Sequence, residues 1–318
     1  MMKQSLFIIL GLMIMLNAQA ADYKKPEFTL ELTITGVGVD IRLNDISIEF
    51  EKRSGHSTMT YEVNSSIIAG VNELKVITFP FLRATLAEGQ TEEYHEEAEV
   101  KVALYVSELG DSDNKTLLSQ IHLRPGLALD KMASESRVID GLDDVVLDNK
   151  SKPLSFPVIT FEQQITATRK TLPVQDNFPR WAWQDGQIIE DTQENYNSLL
   201  AAYREIYDAY KNRDREKLLA LHAPRSAEYA IAFYLDGGVE AGHKFLSTGE
   251  MLDDTESRLY EFHTETTKLD VFASGRMARI IDAALYHPVV FVHKTMDIVH
   301  TMKFGFYKNK AGKWIMIR

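Results

Sequence analysis

The most regular pattern in the chain lies in residues 191–211. Tyr196, Leu199, Leu200, Tyr203, Ile206, Tyr207 and Tyr210 recur at helical spacing and fall on one stripe. Asp191 or Thr192 is placed to cap the start, while Glu194, Arg204, Glu205 and Lys211 belong to the wet face. Tyrosines on a buried stripe need a broad apolar partner with acceptors for their hydroxyls. After Asp214, the apolar Leu218, Leu219 and Leu221 predict a shorter helix ended by Pro224. Residues 226–236 predict a third helix, stopped by Gly237 and Gly238, and 239–245 a further turn. The period then changes to two. One strand is expected to take in Tyr260, Phe262, Leu269, Val271 and Phe272, with others over 277–285, 289–293 and 296–307. A turn at 308–312 leads into a last strand over 313–318.

The N-terminal half reads differently. Phe28, Leu30, Leu32 and Ile34 alternate with polar residues, Gly36 and Gly38 interrupt, and Val39, Ile41 and Leu43 resume the alternation. Asn44-Asp45 is a turn, and Ile46, Ile48 and Phe50 follow. A second turn is expected at Arg53-Ser54-Gly55-His56, then strands at 59–63, 74–79 and 100–106, with Pro80 ending the middle one. Residues 110–115 are a turn, and 153–169 read as one last strand. Short strands at this spacing predict an antiparallel β-sandwich.

The expected fold class is therefore α+β: an antiparallel β-sandwich over 21–170, a linker over 171–190, and an α+β unit with helices on a curved antiparallel sheet over 191–318. Lys3, the apolar run from Leu6 to Leu16 and the small residues to Ala20 have the form of a secretory signal peptide over 1–20, cleaved after Ala20. That run is shorter than the roughly 20 residues of a membrane-spanning helix. Residue 21 is Ala, so a lipid anchor is not expected. With no cysteine, thiol catalysis, zinc–thiolate sites and disulfides are excluded. Export without disulfides suits a bacterial periplasm. The formal net charge of −11 argues against nucleic acid or an anionic membrane as a main partner and permits a basic protein.

Candidate chemistry is sparse. The acidic run at 88–99 offers Glu92, Glu93, His95 and Glu96 as oxygen and nitrogen ligands for a cation, but at no spacing with geometric content; a solvated loop is the competing reading. Trp181 and Trp183 form either an aromatic platform for a glycan or a hydrophobic wedge between the halves. On a strand over 296–307, Ile298, His300, Met302, Phe304 and Phe306 share a face, which sets His300 in an apolar row. His300 and Asp282 are the candidate bases, and Arg276, Tyr203 and Tyr207 complete the binding candidates with His300 and the two tryptophans. There is no Gly-x-Ser-x-Gly, phosphate loop or dinucleotide fingerprint, and no cofactor is expected.

Two resemblances bear on this. The outline Arg42-Leu43-Asn44-Asp45-Ile46, Val63-Asn64 and Ala69-Gly70-Val71-Asn72-Glu73-Leu74 resembles bacterial extracytoplasmic β-sandwich modules. The helix-then-sheet order of 191–318, with the hairpin Phe304-Gly305-Phe306-Tyr307 to Gly312-Lys313-Trp314, resembles the nuclear-transport-factor-two-like, or cystatin-like, cone. The second resemblance implies a first helix lying across the concave side of the sheet, and a pocket in which related enzymes use an Asp or His base with a Tyr. The leading expectation is a non-enzymatic periplasmic protein-binding protein, one form of which is an immunity protein against a toxin acting in the periplasm. The alternatives are a cone with a small-molecule or enzymatic pocket, and a glycan-binding accessory protein.

Overall fold

A computed structural model describes residues 23–80, 93–149, 154–156, 159–161, 163–175, 178–282, 286–296 and 298–318. The expected signal peptide, 1–20, lies outside the described residues. The protein is α+β, its strands mostly antiparallel, with four α-helices among the described residues.

Strand β1 (Pro26–Leu43) organises the N-terminal half. Its buried apolar side chains are even-numbered from Phe28 to Ile34 and odd-numbered from Val37 to Leu43. A change of parity would turn the second run outward, because side chains alternate faces at every residue. The register shift between Thr35 and Val37, with Gly36 at φ +59°, absorbs the extra residue and keeps both runs inside. Gly38 is required for another reason: a Cβ there would lie 2.0 Å from the Phe79 ring. At the far end, Asn44 and Asp45 both take positive φ, the backbone of a tight hairpin turn.

β2 (Ile46–Glu62) pairs with β1 along almost its whole length. The turn expected at residues 53–56 is therefore absent; β2 runs through Gly55, bulged opposite Gly36. The other edge of β1 is shared. Residues 37–43 pair with β3 (Glu73–Pro80), and 26–35 with β4 (Glu99–Glu108). β5 (Thr116–Leu123) lies outside β4. β6 (Val146–Asp148) lies outside β9 (Ile165–Lys170), which pairs with β3. The last strand expected over 153–169 is instead β9 preceded by a separate hairpin, β7 (Leu154–Phe156) and β8 (Ile159–Phe161). The seven-stranded sheet curls into a half-barrel until β5 meets β9. Leu172 N donates to Leu118 O at 3.1 Å, and the Arg169 guanidinium donates to Gln120 O and Arg137 O at 2.9 and 2.7 Å.

In the C-terminal half, helix α1 (Gln193–Lys211) forms as its stripe predicts, with Thr192 as the cap. Leu199, Tyr203, Ile206 and Tyr210 are buried against Ala278, Ile280, Phe291, Phe304 and Phe306. α2 spans Arg215–Ala232 with Pro224 inside it, so the two short helices expected there are one. Proline removes one helical N–H without removing the burial of Leu218 and Ala230 on either side, and that burial holds the helix across it. α3 (Gly238–Phe245) and α4 (Glu250–Asp253) follow.

The remaining strands form two small sheets. β10 (Ser257–Leu259), β13 (Val290–His293) and β14 (Val299–Thr301) make one. β11 (Lys268–Phe272), β12 (Met277–Ile281), β15 (Phe306–Lys308) and β16 (Trp314–Met316) make the other. The long strand expected over 296–307 is broken, because Gly305 N leaves the ladder to bond Arg318 O at 2.8 Å. Among the described residues no helix is long and apolar enough to cross a membrane.

Among the buried polar groups left without a partner is an imidazole. His222, 1 % exposed, has no protein hydrogen-bond partner for either ring nitrogen. Burial, then the Arg225 and His243 charges, bring its pKa from the ordinary 6.5 to about 3. A base neutral in the fold and titrating near 6.5 when unfolded leaves stability unchanged above that pH. As pH falls from 6.5 towards 3 the unfolded chain binds the extra proton and stability drops, by up to about 1.4 kcal/mol per pH unit. Urea unfolding of His222→Leu is expected to show about 1–3 kcal/mol of added stability at pH 7 and a shallower acid slope. Equal slopes in the two proteins would contradict this account.

Candidate functional site

The two halves meet at a seam built from polar side chains and one indole wedge. Asn64, in the short 3-10 turn after β2, accepts from Phe28 N at 2.7 Å and donates to Pro26 O and to Ala232 O at the end of α2, both at 2.8 Å. Glu228 on α2 accepts from Ala182 N at 2.9 Å and from Arg318 at 2.8 Å. Arg318 also donates to Ser65 O. Trp181, 2 % exposed, donates from Nε1 to Ile67 O at 2.6 Å and packs edge-on against Phe178. Trp183 is buried in the same core.

The seam sets β2 beside α2 and the β11–β12 hairpin and leaves a cavity of about 230 Å³ between them. Ile48, Phe50, Phe272, Ile281 and Phe304 supply apolar walls. Arg225, Arg279, Lys303 and Arg318 supply four cations, against one lining carboxylate, Glu62. In a chain of net charge −11 this is a local reversal of sign. Three of the cations have acids behind them. Arg279 Nε bonds Asp270 at 2.7 Å, Arg318 bonds Glu228, and Lys303 lies 3.8 Å from Glu49. Arg225 has no carboxylate within ion-pair distance among the described residues, its guanidinium lying 5.6 Å from the Tyr229 ring centroid. Arg225 Nε, Arg279 Nη2 and Arg318 Nε are buried without a protein acceptor. A buried guanidinium donor without an acceptor is costly, and three such atoms belong to arginines that line this cavity.

Two further groups respond to this field. Burial pushes the Tyr229 phenol up, but the Arg225 and Arg318 charges, with the polar side chains of Ser65 and Arg225, overcome it and hold it below the ordinary tyrosine range. His287 lines the cavity, with Nδ1 2.9 Å from the Tyr203 hydroxyl. Burial, then Arg279 and Lys303, hold it well below the usual histidine value, so it is neutral at physiological pH.

Of the residues singled out from the sequence, none of the binding candidates lines this cavity. Trp181 and Trp183 are wedge residues in the seam, with no exposed platform. Tyr203 is fully buried, donating to Phe304 O at 2.9 Å, and Tyr207 packs on Phe262. Arg276 donates to Gly186 O at 2.5 Å. His300 is exposed, paired in register with Phe291, because the broken strand removes the apolar row expected around it. Asp282 is buried, and its carboxylate already meets His263 Nε2 at 2.8 Å and Tyr286 N at 2.9 Å. Glu93, His95 and Glu96 are exposed and form no cluster; Glu92 lies outside the described residues. Among the described residues Glu99, His122 and Glu135 are the group with ligand-like proximity. His122 meets Glu99 through Nε2 at 2.6 Å and Glu135 through Nδ1 at 3.6 Å. Opposite ring nitrogens make this a bridge between carboxylates, not a pair of arms around one ion.

Sequence reasoning missed Arg225, Arg279, Lys303, Arg318 and Tyr229. The legible signal was Arg279, alone among the apolar Met277, Ala278, Ile280 and Ile281 of a predicted strand. No protein family, curated protein or solved structure matches the chain. In an alkaline absorbance titration one tyrosine is expected to ionise below the others. Tyr229→Phe should remove that step and Arg225→Met should raise it; a low step that survives Tyr229→Phe would contradict the assignment.

Proposed function

We propose that this is a non-enzymatic binding protein that takes an anionic group into the cleft between its two halves. The observation that carries this is Arg225, a guanidinium lining the cavity with no carboxylate within ion-pair distance among the described residues. Binding is favoured over catalysis because the candidate bases are unsuited to it. His300 is exposed, Asp282 is engaged by His263, and His287 is held neutral with a depressed basicity.

In this reading the N-terminal half is a sandwich-like module and the C-terminal half a cone-like one. The curl that brings β5 to β9 and the packing of α1 on β11 and β12 support that description. The export pattern of residues 1–20 supports a periplasmic setting, in which the anionic group belongs to a small ligand or to an acidic side chain of a protein partner such as a toxin.

Thermal unfolding in chloride, acetate and phosphate at matched ionic strength tests the reading. A ligand at ten times its Kd adds about 1.4 kcal/mol, which for a protein of this size raises Tm by about 2 °C or more. At least one of acetate and phosphate is expected to stabilise wild type by that much more than it stabilises Arg225→Met. Identical anion responses in the two proteins would refute an anion site at Arg225.

A further inference from the structure

We infer that the tip of the β1–β2 hairpin is a clasp that holds the β11–β12 hairpin, and with it one wall of the cleft, in a strained closed position. The clasp acts whatever ligand the cleft takes, and so goes beyond the anion-binding reading above. Two turns meet at this point. One keeps its own shape and the other is kept in shape by its neighbour.

Both turns place consecutive residues in the left-handed region. In the β1–β2 turn these are Asn44 and Asp45, at φ 54° and 62°. Asparagine and aspartate tolerate that backbone because their short polar side chains bond locally. Asn44 does so, donating to Ser66 O at 2.8 Å and accepting from Glu73 N at 3.1 Å. In the β11–β12 turn the residues are Ala273 and Ser274, at φ 52° and 53°, followed by Gly275 at φ 82°. Glycine adopts this backbone freely. Alanine has no polar side chain to offer, and non-glycine residues persist in this region only where the surroundings over-determine them.

Asp45 is that surrounding. Its carbonyl accepts from Ala273 N at 3.1 Å, and its Oδ2 from Ser274 N at 3.0 Å. The carboxylate is anchored in turn, because Oδ1 accepts from Arg42 and from Lys75, each at 3.1 Å. Arg42 is itself tied back to Asp40 at 2.6 Å. From the connecting segment Ile189 N donates to Gly275 O at 2.7 Å. The turn held in this way closes the hairpin that carries Phe272, Arg279 and Ile281 to the cavity, while Ile46, Ile48 and Phe50 line it from β2. The clasp therefore joins the two hairpins whose separation sets the width of the cleft. Strain on one side and a few hydrogen bonds on the other give the hairpin two positions, which is the physical requirement for a gate.

The chain has no cysteine, so the labelling rate of a thiol introduced into the full chain reads opening without background. Met277→Cys places one beside the turn, at a fully buried position paired with Phe272. Ala167→Cys, buried in β9, reads global unfolding. Asp45→Gly removes the carboxylate but keeps the carbonyl and the left-handed turn. It is expected to speed labelling at 277 by about fivefold or more and to leave labelling at 167 within about twofold. Ser274→Gly, at an exposed position, relieves strain and keeps the N–H; it is expected to slow labelling at 277 by about twofold or more. An unchanged rate at 277 in Asp45→Gly, or an equal rise at 277 and 167, would overturn the clasp. A rate at 277 that Ser274→Gly leaves unchanged or raises would show that the turn stores no strain, and would overturn the gate.

Discussion

Asn64 satisfies three backbone groups at once, and they come from both halves of the chain: Phe28 N and Pro26 O at the start of β1, and Ala232 O at the end of α2. A buried amide that lost one of these partners would leave a desolvated polar group, so the arrangement is held as a whole. Glu228 extends the same logic by joining α2 to Ala182 in the connecting segment and to Arg318 at the last strand's end. Trp181 is buried in the same core, bonded to Ile67 O and packed on Phe178. The position of β2 relative to α2 and β12, and so the cleft itself, follows from this seam.

The cleft then inverts the electrostatics of an acidic protein. Its cations are costly where they stand, and the fold offsets most of them with Asp270, Glu228 and Glu49. Among the described residues Arg225 has no such acid within ion-pair distance, and the Tyr229 phenol is held down by the Arg225 and Arg318 charges. Local rules broken in this way are concentrated at functional sites, because a ligand supplies what the fold omits. His222, beside Arg225 in α2, is a second such break, and it faces Phe304 with no polar partner.

What could be read in the sequence was what one element decides by itself. The α1 stripe, the alternation of β1, the Asn44-Asp45 turn and the last hairpin are written in local periodicity. So, in part, was the asparagine outline: Asn44 bonds Ser66 O and Asn72, and Asn72 bonds Ile68 and Gly70, so these amides replace a strand's ladder through 64–72. The errors came where tertiary burial overrode a local breaker. Gly55 reads as a turn but sits in a bulge opposite Gly36, and Pro224 reads as a stop inside a helix held on both sides. β5 hides because Ser119 and Gln120 are buried polar residues within it. The cleft was illegible for a different reason: Arg225, Arg279, Lys303 and Arg318 come from separate elements, and only the seam brings them together.

The account depends on the two halves folding as one unit across that seam. Scanning calorimetry of the full chain and of Asn64→Ala tests this directly. One two-state transition is expected, with calorimetric and van't Hoff enthalpies equal, and Asn64→Ala should lower its midpoint without splitting it. Two separate transitions in the wild-type chain, only one of them moved by Asn64→Ala, would show that the halves fold independently and that the cleft is not a property of the fold.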